Sequence, residues 1–182
     1  MQLMQTNLVN LDQIDEIQID MDGVLADFEK RACELLGVDQ IVDKKAMWKA
    51  IKAHIKAGGR FWYELEKMEY VDEMLDLIIS LGKRNEILTA TGYEDTAAQD
   101  KRDWIGEHAT GLRVNLVRSS KDKALYAQPN ILLIDDRDKS IEPWVAAGGV
   151  GILHTDCLST IRILLSATND KDIHDTFGHL VA

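Results

Sequence analysis

The sequence predicts an α/β fold in which a parallel sheet carries helices on both faces. Five short apolar runs have the length and composition of buried strands, at residues 16–20, 85–89, 113–117, 131–135 and 150–153. Between most of them apolar residues recur at helical spacing, and the patterns cover residues 70–81, 95–108, 140–147 and 156–166. Because strands that alternate with helices pair through crossovers, this order favours a parallel sheet.

One stretch breaks the alternation. Residues 24–67 hold two helical patterns, 26–36 and 44–57, and no convincing strand. Gly58 and Gly59 end the second pattern. We interpret the stretch as a small helical cap, inserted after the first strand and lying over the active site.

The chain has the size of one domain. Its 182 residues, 46% of them hydrophobic, can bury one core and are too few for two large ones. We therefore expect a single domain over residues 1–182, with a core at 14–23 and 68–167. Residues 168–182 would be a tail that forms either a short helix or a frayed end.

The composition limits the kinds of partner that we expect the chain to bind. The formal net charge of −10 opposes binding along a polymeric nucleic acid, which needs clustered Lys and Arg side chains. No apolar run approaches the roughly 20 residues of a membrane span, and residues 1–10 lack the features of a secretion signal. The cysteines, Cys33 and Cys157, form no CxxC pair and are expected to be buried or neutral thiols. We expect a cytoplasmic monomer or homodimer that acts on a small molecule.

The first predicted strand ends in two carboxylates, Asp20 and Asp22, one residue apart. At a strand end Asp20 can point forward as a nucleophile, while Asp22 turns back beside it after the bend. Gly23 allows a sharp turn. The backbone N–H groups of this turn, opening into a helix within residues 24–36, would form a cradle for a phosphate.

Polar side chains also end other predicted strands. The second strand ends at Thr89 and the fourth at Asp135 and Asp136, while Lys121 and Lys123 follow the third. The carboxyl ends of parallel strands meet at one crevice, where ligands bind. Four carboxylates there repel each other by about 4 kcal/mol per pair at 4 Å and an effective dielectric of 20, so a cation is required. Oxygen ligands and a phosphate substrate favour Mg²⁺ over zinc.

These residue types fit phosphoryl transfer. Asp20 would attack phosphorus and form an aspartyl-phosphate, and Asp22 would protonate the leaving alkoxide and then activate water. Mg²⁺ would neutralise the developing charge. Thr89 would donate a hydrogen bond to a phosphoryl oxygen, and one lysine would screen the nucleophile from the anionic substrate.

The same residues resemble a known family. Asp20-Met21-Asp22-Gly23-Val24, Thr89, a lysine before the fourth strand and Ile134-Asp135-Asp136-Arg137 look like the four motifs of the haloacid dehalogenase (HAD) superfamily. Within it, residues 22–28, 61–66 and 132–136 look most like the 5′(3′)-deoxyribonucleotidases, including bacterial and phage-type members. The resemblance covers about residues 16–153 and implies a Rossmannoid three-layer fold with a helical cap.

The resemblance also implies a ligand set. Mg²⁺ would be bound by the Asp20 carboxylate, the Asp22 backbone carbonyl and Asp136, with Asp135 as a supporting neighbour. Of the two lysines, the Asp-Lys context favours Lys123 and leaves Lys121 as the alternative.

The segment after Thr89 departs from the family pattern. Ala90 stands where relatives often carry a second hydroxyl. We expect either that the Thr91 hydroxyl takes over its role in phosphate binding or that phosphate is held more weakly.

Aromatic side chains of the predicted cap are relevant to the question of which substrate the site accepts. Phe28, Phe61 and Trp62 would border a base pocket if the resemblance holds, and otherwise they pack the core of the cap. The resulting hypothesis is a Mg²⁺-dependent phosphomonoesterase that hydrolyses nucleoside monophosphates, preferably deoxyribonucleotides. The alternatives are a phosphatase of another small metabolite, such as a sugar phosphate, and a catalytically quiet nucleotide-binding module.

Overall fold

The computed structural model describes residues 9–182. Its five strands are β1 Glu16–Ile19, β2 Arg84–Ala90, β3 Arg113–Val117, β4 Ile131–Asp135 and β5 Val150–Leu153. They form one sheet in the order β3-β2-β1-β4-β5, and every pairing is parallel. The predicted fold class is confirmed, with each strand end within one residue of its predicted position. The expectation about a secretion signal concerns residues 1–10, and most of these lie outside the described part.

Within the described residues, seven α-helices accompany the sheet: α1 Phe28–Leu36, α2 Lys44–Lys56, α3 Val71–Ser80, α4 Ala97–His108, α5 Asp138–Ala146, α6 Cys157–Ser166 and α7 Lys171–Phe177. A 3₁₀ helix, Ser120–Tyr126, joins β3 to β4. Helices α1 and α2 form the predicted insertion after β1. The tail forms the short helix α7, which buries Ile173 and packs against α3, and is therefore not frayed. Over residues 9–182, no helix combines the length and the hydropathy that crossing a bilayer requires.

Alternating side chains of the strands build two cores. On one face of the sheet, Ile17, Ile19 and Ile87 are buried with residues of α3, α4 and α6. On the other, Leu88 and Leu133 pack against Trp144 of α5. Because the sheet is covered on both faces, all four residues of the central strand β1 are buried. This fixes the carboxyl end of β1, and with it Asp20, in the middle of the molecule.

The segment that leaves β1 is a tight turn rather than the start of a helix. The Met21 carbonyl accepts hydrogen bonds from the N–H groups of Leu25 and Ala26, both at 2.9 Å, and Gly23 N–H donates to the Ala26 carbonyl at 2.8 Å. Helix α1 begins only at Phe28, because the Asp27 side chain caps it. The predicted helical start at residues 24 to 26 is wrong. Within the predicted phosphate cradle, the N–H groups of Gly23, Leu25 and Ala26 bond inside the turn.

A half-buried cluster around Glu64 holds the insertion together. One Glu64 carboxylate oxygen accepts hydrogen bonds from Arg31 of α1 and His54 of α2, each at 2.6 Å. The other accepts from the Arg60 backbone N–H at 2.7 Å. Gly59 is required beside this cluster, because a Cβ there would lie 2.1 Å from His54 Nε2. One carboxylate thus connects both helices of the insertion to the segment that returns to the sheet.

We expect Glu64→Gln to lower the free energy of unfolding by about 1–3 kcal/mol, because a charge-assisted acceptor with three donors is lost. Urea denaturation measures this loss. The control is Glu66→Gln, since the Glu66 side chain is 66% exposed and bonds to Lys30. Equal effects of the two substitutions would contradict the account.

Helix α4 ties the returning segment to the core. Trp104 Nε1 donates to the buried Leu65 carbonyl at 2.8 Å, and Arg60 Nε donates to Asp100 at 2.9 Å. The Tyr63 hydroxyl donates to Glu107 at 2.8 Å. These contacts fix the rotation of α4 about its axis. They thereby fix which of its side chains face the carboxyl end of β1.

Candidate active site

Three carboxylates meet at the carboxyl ends of β1 and β4. One oxygen each of Asp20, Asp135 and Asp136 lies within 4.8 Å of the others. Asp20 continues the pairing of the strands, because its N–H donates to the Ile134 carbonyl at 2.9 Å. The predicted convergence of strand ends therefore occurs, with Asp20 and Asp135 buried and Asp136 at the surface.

Lys123 forms ion pairs with two of these carboxylates. Its side chain is buried, and Nζ lies 2.9 Å from Asp20 Oδ1 and 2.5 Å from Asp135 Oδ2. Lys121 lies in the same 3₁₀ helix, Ser120–Tyr126, but is exposed. Of the two lysines that the sequence left open, Lys123 is the one beside the predicted nucleophile.

A second buried lysine, Lys101, belongs to none of the sequence motifs and was not predicted. It lies on α4 and is fully buried, with Nζ 2.7 Å from Asp22 Oδ2 and 2.8 Å from Thr89 Oγ1. The available signal was its helical phase: Lys101 follows Ala97 by four residues and precedes Ile105 by four, on the buried face of the helix. A lysine in an otherwise apolar stripe is exceptional, because Lys is almost never fully buried unless paired.

The three residues at the end of β2, Thr89, Ala90 and Thr91, have different surroundings. Thr89 is fully buried at the Lys101 ammonium, whereas Ala90 offers no polar side chain. The Thr91 hydroxyl faces the Val117 carbonyl, at 3.4 Å, and its N–H donates to the same carbonyl at 2.9 Å. Thr91 is therefore engaged with β3 through both its hydroxyl and its N–H.

The aromatic residues of the insertion form one cluster. Phe28 contacts Phe61 edge-on at 5.2 Å between ring centroids, and Phe61 contacts Trp62 at 5.2 Å. Phe61 and Trp62 are buried, so both serve as core of the insertion in this structure. Phe28 is half-buried, and Trp48, which lies 5.9 Å from it, is 41% exposed. Among the clustered rings, only these two retain accessible surface.

The charges around Asp20 and Asp22 set their protonation in opposite directions. Burial raises the pKa of Asp20, but the ammonium groups of Lys123 and Lys101 outweigh it, so the pKa of Asp20 falls below its ordinary value. Burial also raises the pKa of Asp22, the Lys101 ammonium offsets this only in part, and the neighbouring Asp20 charge adds to the rise. An ionised carboxylate thus lies beside one that retains its proton more readily. This is the pairing that a nucleophile and a general acid require.

The donor set fits a hard divalent cation. Desolvation and the charges of Asp20 and Asp135 raise the pKa of Asp136 to about 7, and the positive charges of Arg137 and Lys123 offset this only in part. Asp135 is already engaged, since Oδ2 accepts from Lys123 and Oδ1 accepts from the Arg137 N–H at 3.0 Å. Asp20 and Asp136 are the carboxylates left for a metal. Gly23 leaves room for Asp136 beside the turn, because a Cβ there would lie 2.5 Å from Asp136 Oδ2.

His154 follows β5 at the same edge of the sheet and has no place in this donor set. Its ring is buried, Nδ1 lies 2.8 Å from the Thr160 hydroxyl, and burial lowers its pKa from 6.5 to about 4. Between pH 6.5 and pH 4, His154 therefore stays unprotonated in the folded protein, whereas in the unfolded chain it binds a proton. Stability is lost progressively between pH 6.5 and pH 4, by at most about 3 kcal/mol.

We therefore expect His154→Gln to lose less stability than wild type when the pH is lowered from 7 to 4.5, because its amide does not titrate. Urea denaturation at a series of pH values measures the difference in free energy of unfolding. His174→Gln, at an exposed position, serves as control and should follow wild type. Parallel curves for wild type and His154→Gln would disprove the linkage.

The fold, compared with solved structures, has clear relatives at low sequence identity. A hydrolase from Streptococcus pneumoniae aligns over 84% of this chain and 98% of its own, with 16% identity and a TM-score of 0.57. A haloacid dehalogenase-like family hydrolase from Xanthomonas campestris aligns over 79% and 83%, with 17% identity and a TM-score of 0.56. A HAD-superfamily hydrolase from Ehrlichia chaffeensis aligns over 86% and 98%, with 11% identity and a TM-score of 0.53.

Sequence comparison adds no closer assignment. No protein-family model matches the chain, and no curated protein matches its sequence. Identities of 11–17% establish the fold and leave the reaction to be argued from the site. On the parallel sheet, the insertion after β1 and these structural alignments, the chain has the haloacid dehalogenase-like fold.

Proposed function

We propose that the protein is a Mg²⁺-dependent phosphomonoesterase that works through an aspartyl-phosphate on Asp20. The observation that carries the proposal is the pair of carboxylates at the turn after β1, each held by its own buried lysine. Lys123 stabilises the ionised form of Asp20. Asp22, held by Lys101, has a raised pKa and can serve as the acid.

The residues divide the reaction between them. The Asp20 carboxylate attacks phosphorus, and Asp22 transfers its proton to the leaving oxygen, which departs as an alcohol. Asp22, now ionised, then accepts a proton from the water that attacks phosphorus and releases phosphate from Asp20. Lys123 balances the negative charge between nucleophile and substrate. A Mg²⁺ ion held by Asp20, the Asp22 carbonyl and Asp136 would supply further positive charge to the phosphoryl oxygens.

The same fold also supports dehalogenation, so the two reactions have to be distinguished by the residues of the site. A halide leaves without a proton, whereas an alkoxide requires one. A carboxyl that donates a proton to the leaving group is needed only in the second case. Asp22 therefore supports phosphoryl transfer.

For the substrate we propose a nucleoside monophosphate, preferably a deoxyribonucleotide. The support is the resemblance of residues 22–28, 61–66 and 132–136 to the deoxyribonucleotidases. The accessible rings of Phe28 and Trp48 are the surfaces on which a base could stack. The burial of Phe61 and Trp62 favours the second candidate, a phosphatase of another small metabolite in which these rings only pack the insertion.

A substrate panel tests both levels of the proposal. Purified protein would be assayed for phosphate release with Mg²⁺ from deoxyribonucleoside and ribonucleoside 5′- and 3′-monophosphates and from sugar phosphates, with EDTA as the metal-free control. We expect release that requires Mg²⁺ and is fastest with deoxyribonucleotides. Equal rates with sugar phosphates would disprove the nucleotide preference, and Mg²⁺ binding without any turnover would indicate the catalytically quiet module.

A further inference from the structure

Lys101 is a buried charged side chain for which the predicted four-motif site has no role. It is fully enclosed on α4, yet it makes ion-pair and hydrogen-bond contacts to only two side chains, Asp22 and Thr89, among residues 9–182. Burying an ammonium group costs several kcal/mol, which partners recover only with good geometry. A buried lysine is not needed to anchor α4, since Ala97, Trp104 and Ile105 of the same helix are buried in the core.

The chemistry of the ammonium group dictates the state of Thr89. A lysine ammonium has three donors and no acceptor, so the contact at 2.8 Å requires Thr89 Oγ1 to accept. The hydroxyl proton of Thr89 is then left to donate, and its hydrogen bond to Asp20 contributes to the lowered pKa of that carboxylate. Thr89 lies at the carboxyl end of β2, beside the predicted nucleophile. The hydroxyl of Thr89 could otherwise either donate or accept, and the contact with Lys101 thus makes it a donor for the reaction.

The same reasoning distinguishes the two oxygens of Asp22. Oδ2 accepts from Lys101 at 2.7 Å. Oδ1 is buried, and no hydrogen-bond partner reaches it within the described part of the chain. Such an orphaned oxygen is costly in a folded protein and calls for a partner. Because Oδ2 faces a donor, a proton on the Asp22 carboxyl has to reside on Oδ1.

We propose that Lys101 is a positioning residue that presents Asp22 Oδ1 to the leaving oxygen and the Thr89 proton to the phosphoryl group. The inference rests on the proposed phosphomonoesterase function and deepens it. The two buried lysines then have separate roles, because Lys123 serves the nucleophile Asp20 and Lys101 serves the acid Asp22. Without Lys101, the Asp22 carboxyl can rotate, and its proton is no longer directed to one oxygen.

Leaving-group dependence reports on this role, because only a poor leaving group needs the proton of Asp22. Lys101→Met replaces the ammonium by a neutral chain of similar length. We expect kcat/KM for a deoxyribonucleoside monophosphate to fall about 100-fold, and kcat/KM for p-nitrophenyl phosphate to fall at least about tenfold less. The ratio kcat/KM reports the phosphorylation step alone, so a later change in water attack does not enter.

Two further variants keep the test decisive. Arg102→Met removes an exposed charge from the same helix and should leave both substrates unaffected. Lys101→Gln, which keeps an N–H donor without the charge, should fall between wild type and Lys101→Met, and it replaces that variant if the latter does not fold. An equal loss on both esters, or no loss, would overturn the role of Lys101 alone. A folded wild type that hydrolyses neither ester would overturn the phosphomonoesterase function and this role together.

Discussion

Asp20→Asn is expected to reduce phosphate release at least about a thousand-fold, because the amide cannot attack phosphorus and no other carboxylate takes its position. The substitution is nearly isosteric. It also removes one of the charges that raise the pKa of Asp136, so the fold should tolerate it. Phosphate release with saturating Mg²⁺ measures the effect, and urea denaturation of the same preparation shows that the fold is intact.

The result has a clear contrary outcome. A folded Asp20→Asn protein with turnover near that of wild type would mean that water attacks the substrate directly or that another residue is the nucleophile. Either finding would remove the assignment of roles to Lys123 and Asp22, since both are defined by their relation to Asp20.

Lys123→Met is expected to have the second largest effect, and it acts on both stability and activity. The substitution leaves Asp20 and Asp135 buried side by side without their shared cation. Breaking a buried ion pair by removing one partner costs about 3–5 kcal/mol. The lost positive charge should lower kcat by about 10²–10³ in the fraction that remains folded. Urea denaturation and phosphate release measure the two effects.

Lys121→Met is the matched control for this prediction. Lys121 lies two residues away in the same 3₁₀ helix, Ser120–Tyr126, but is exposed, so its loss should change stability by less than about 0.5 kcal/mol. A larger effect of Lys121→Met than of Lys123→Met would reverse the assignment of the two lysines.

The sequence predicted the sheet well because its signals are local. Each strand is a short apolar run closed by a polar residue, and the parallel order follows from alternation with helices. The start of α1 was not predictable in this way. Residues 24–26 carry apolar side chains at helical spacing, but their N–H groups bond to Met21 in a turn, and Asp27 caps the helix that follows. The spacing of apolar residues gives no information about such competing backbone hydrogen bonds.

For the candidate site, the sequence predicted which residues end the strands, but it did not predict which long side chains reach them. Lys121 and Lys123 differ only by their rotation in a short 3₁₀ helix, and the structure places them in opposite environments. Lys101 approaches from a helix whose orientation is set by contacts of its Trp104 and Asp100 with Leu65 and Arg60 of the insertion. Those contacts are distant in sequence, so a scan for motifs could not connect Lys101 with Asp22.

The aromatic cluster shows the same limit for the substrate. Phe28, Phe61 and Trp62 are consistent with a base pocket or with core packing when only the sequence is considered. The structure buries Phe61 and Trp62 and leaves Trp48 as an accessible ring. Which face of a ring is covered depends on how α1 and α2 pack, and composition alone does not determine that packing.

The central claim is the covalent phosphorylation of Asp20, and trapping that intermediate tests it most directly. The wild-type protein would be mixed with Mg²⁺ and substrate, quenched during turnover and treated with borohydride, which reduces an aspartyl-phosphate to homoserine. Peptide mass spectrometry should then find homoserine at position 20 in wild type and not in Asp20→Asn. Active turnover with aspartate intact at position 20, or with the modification at another residue, would contradict the account.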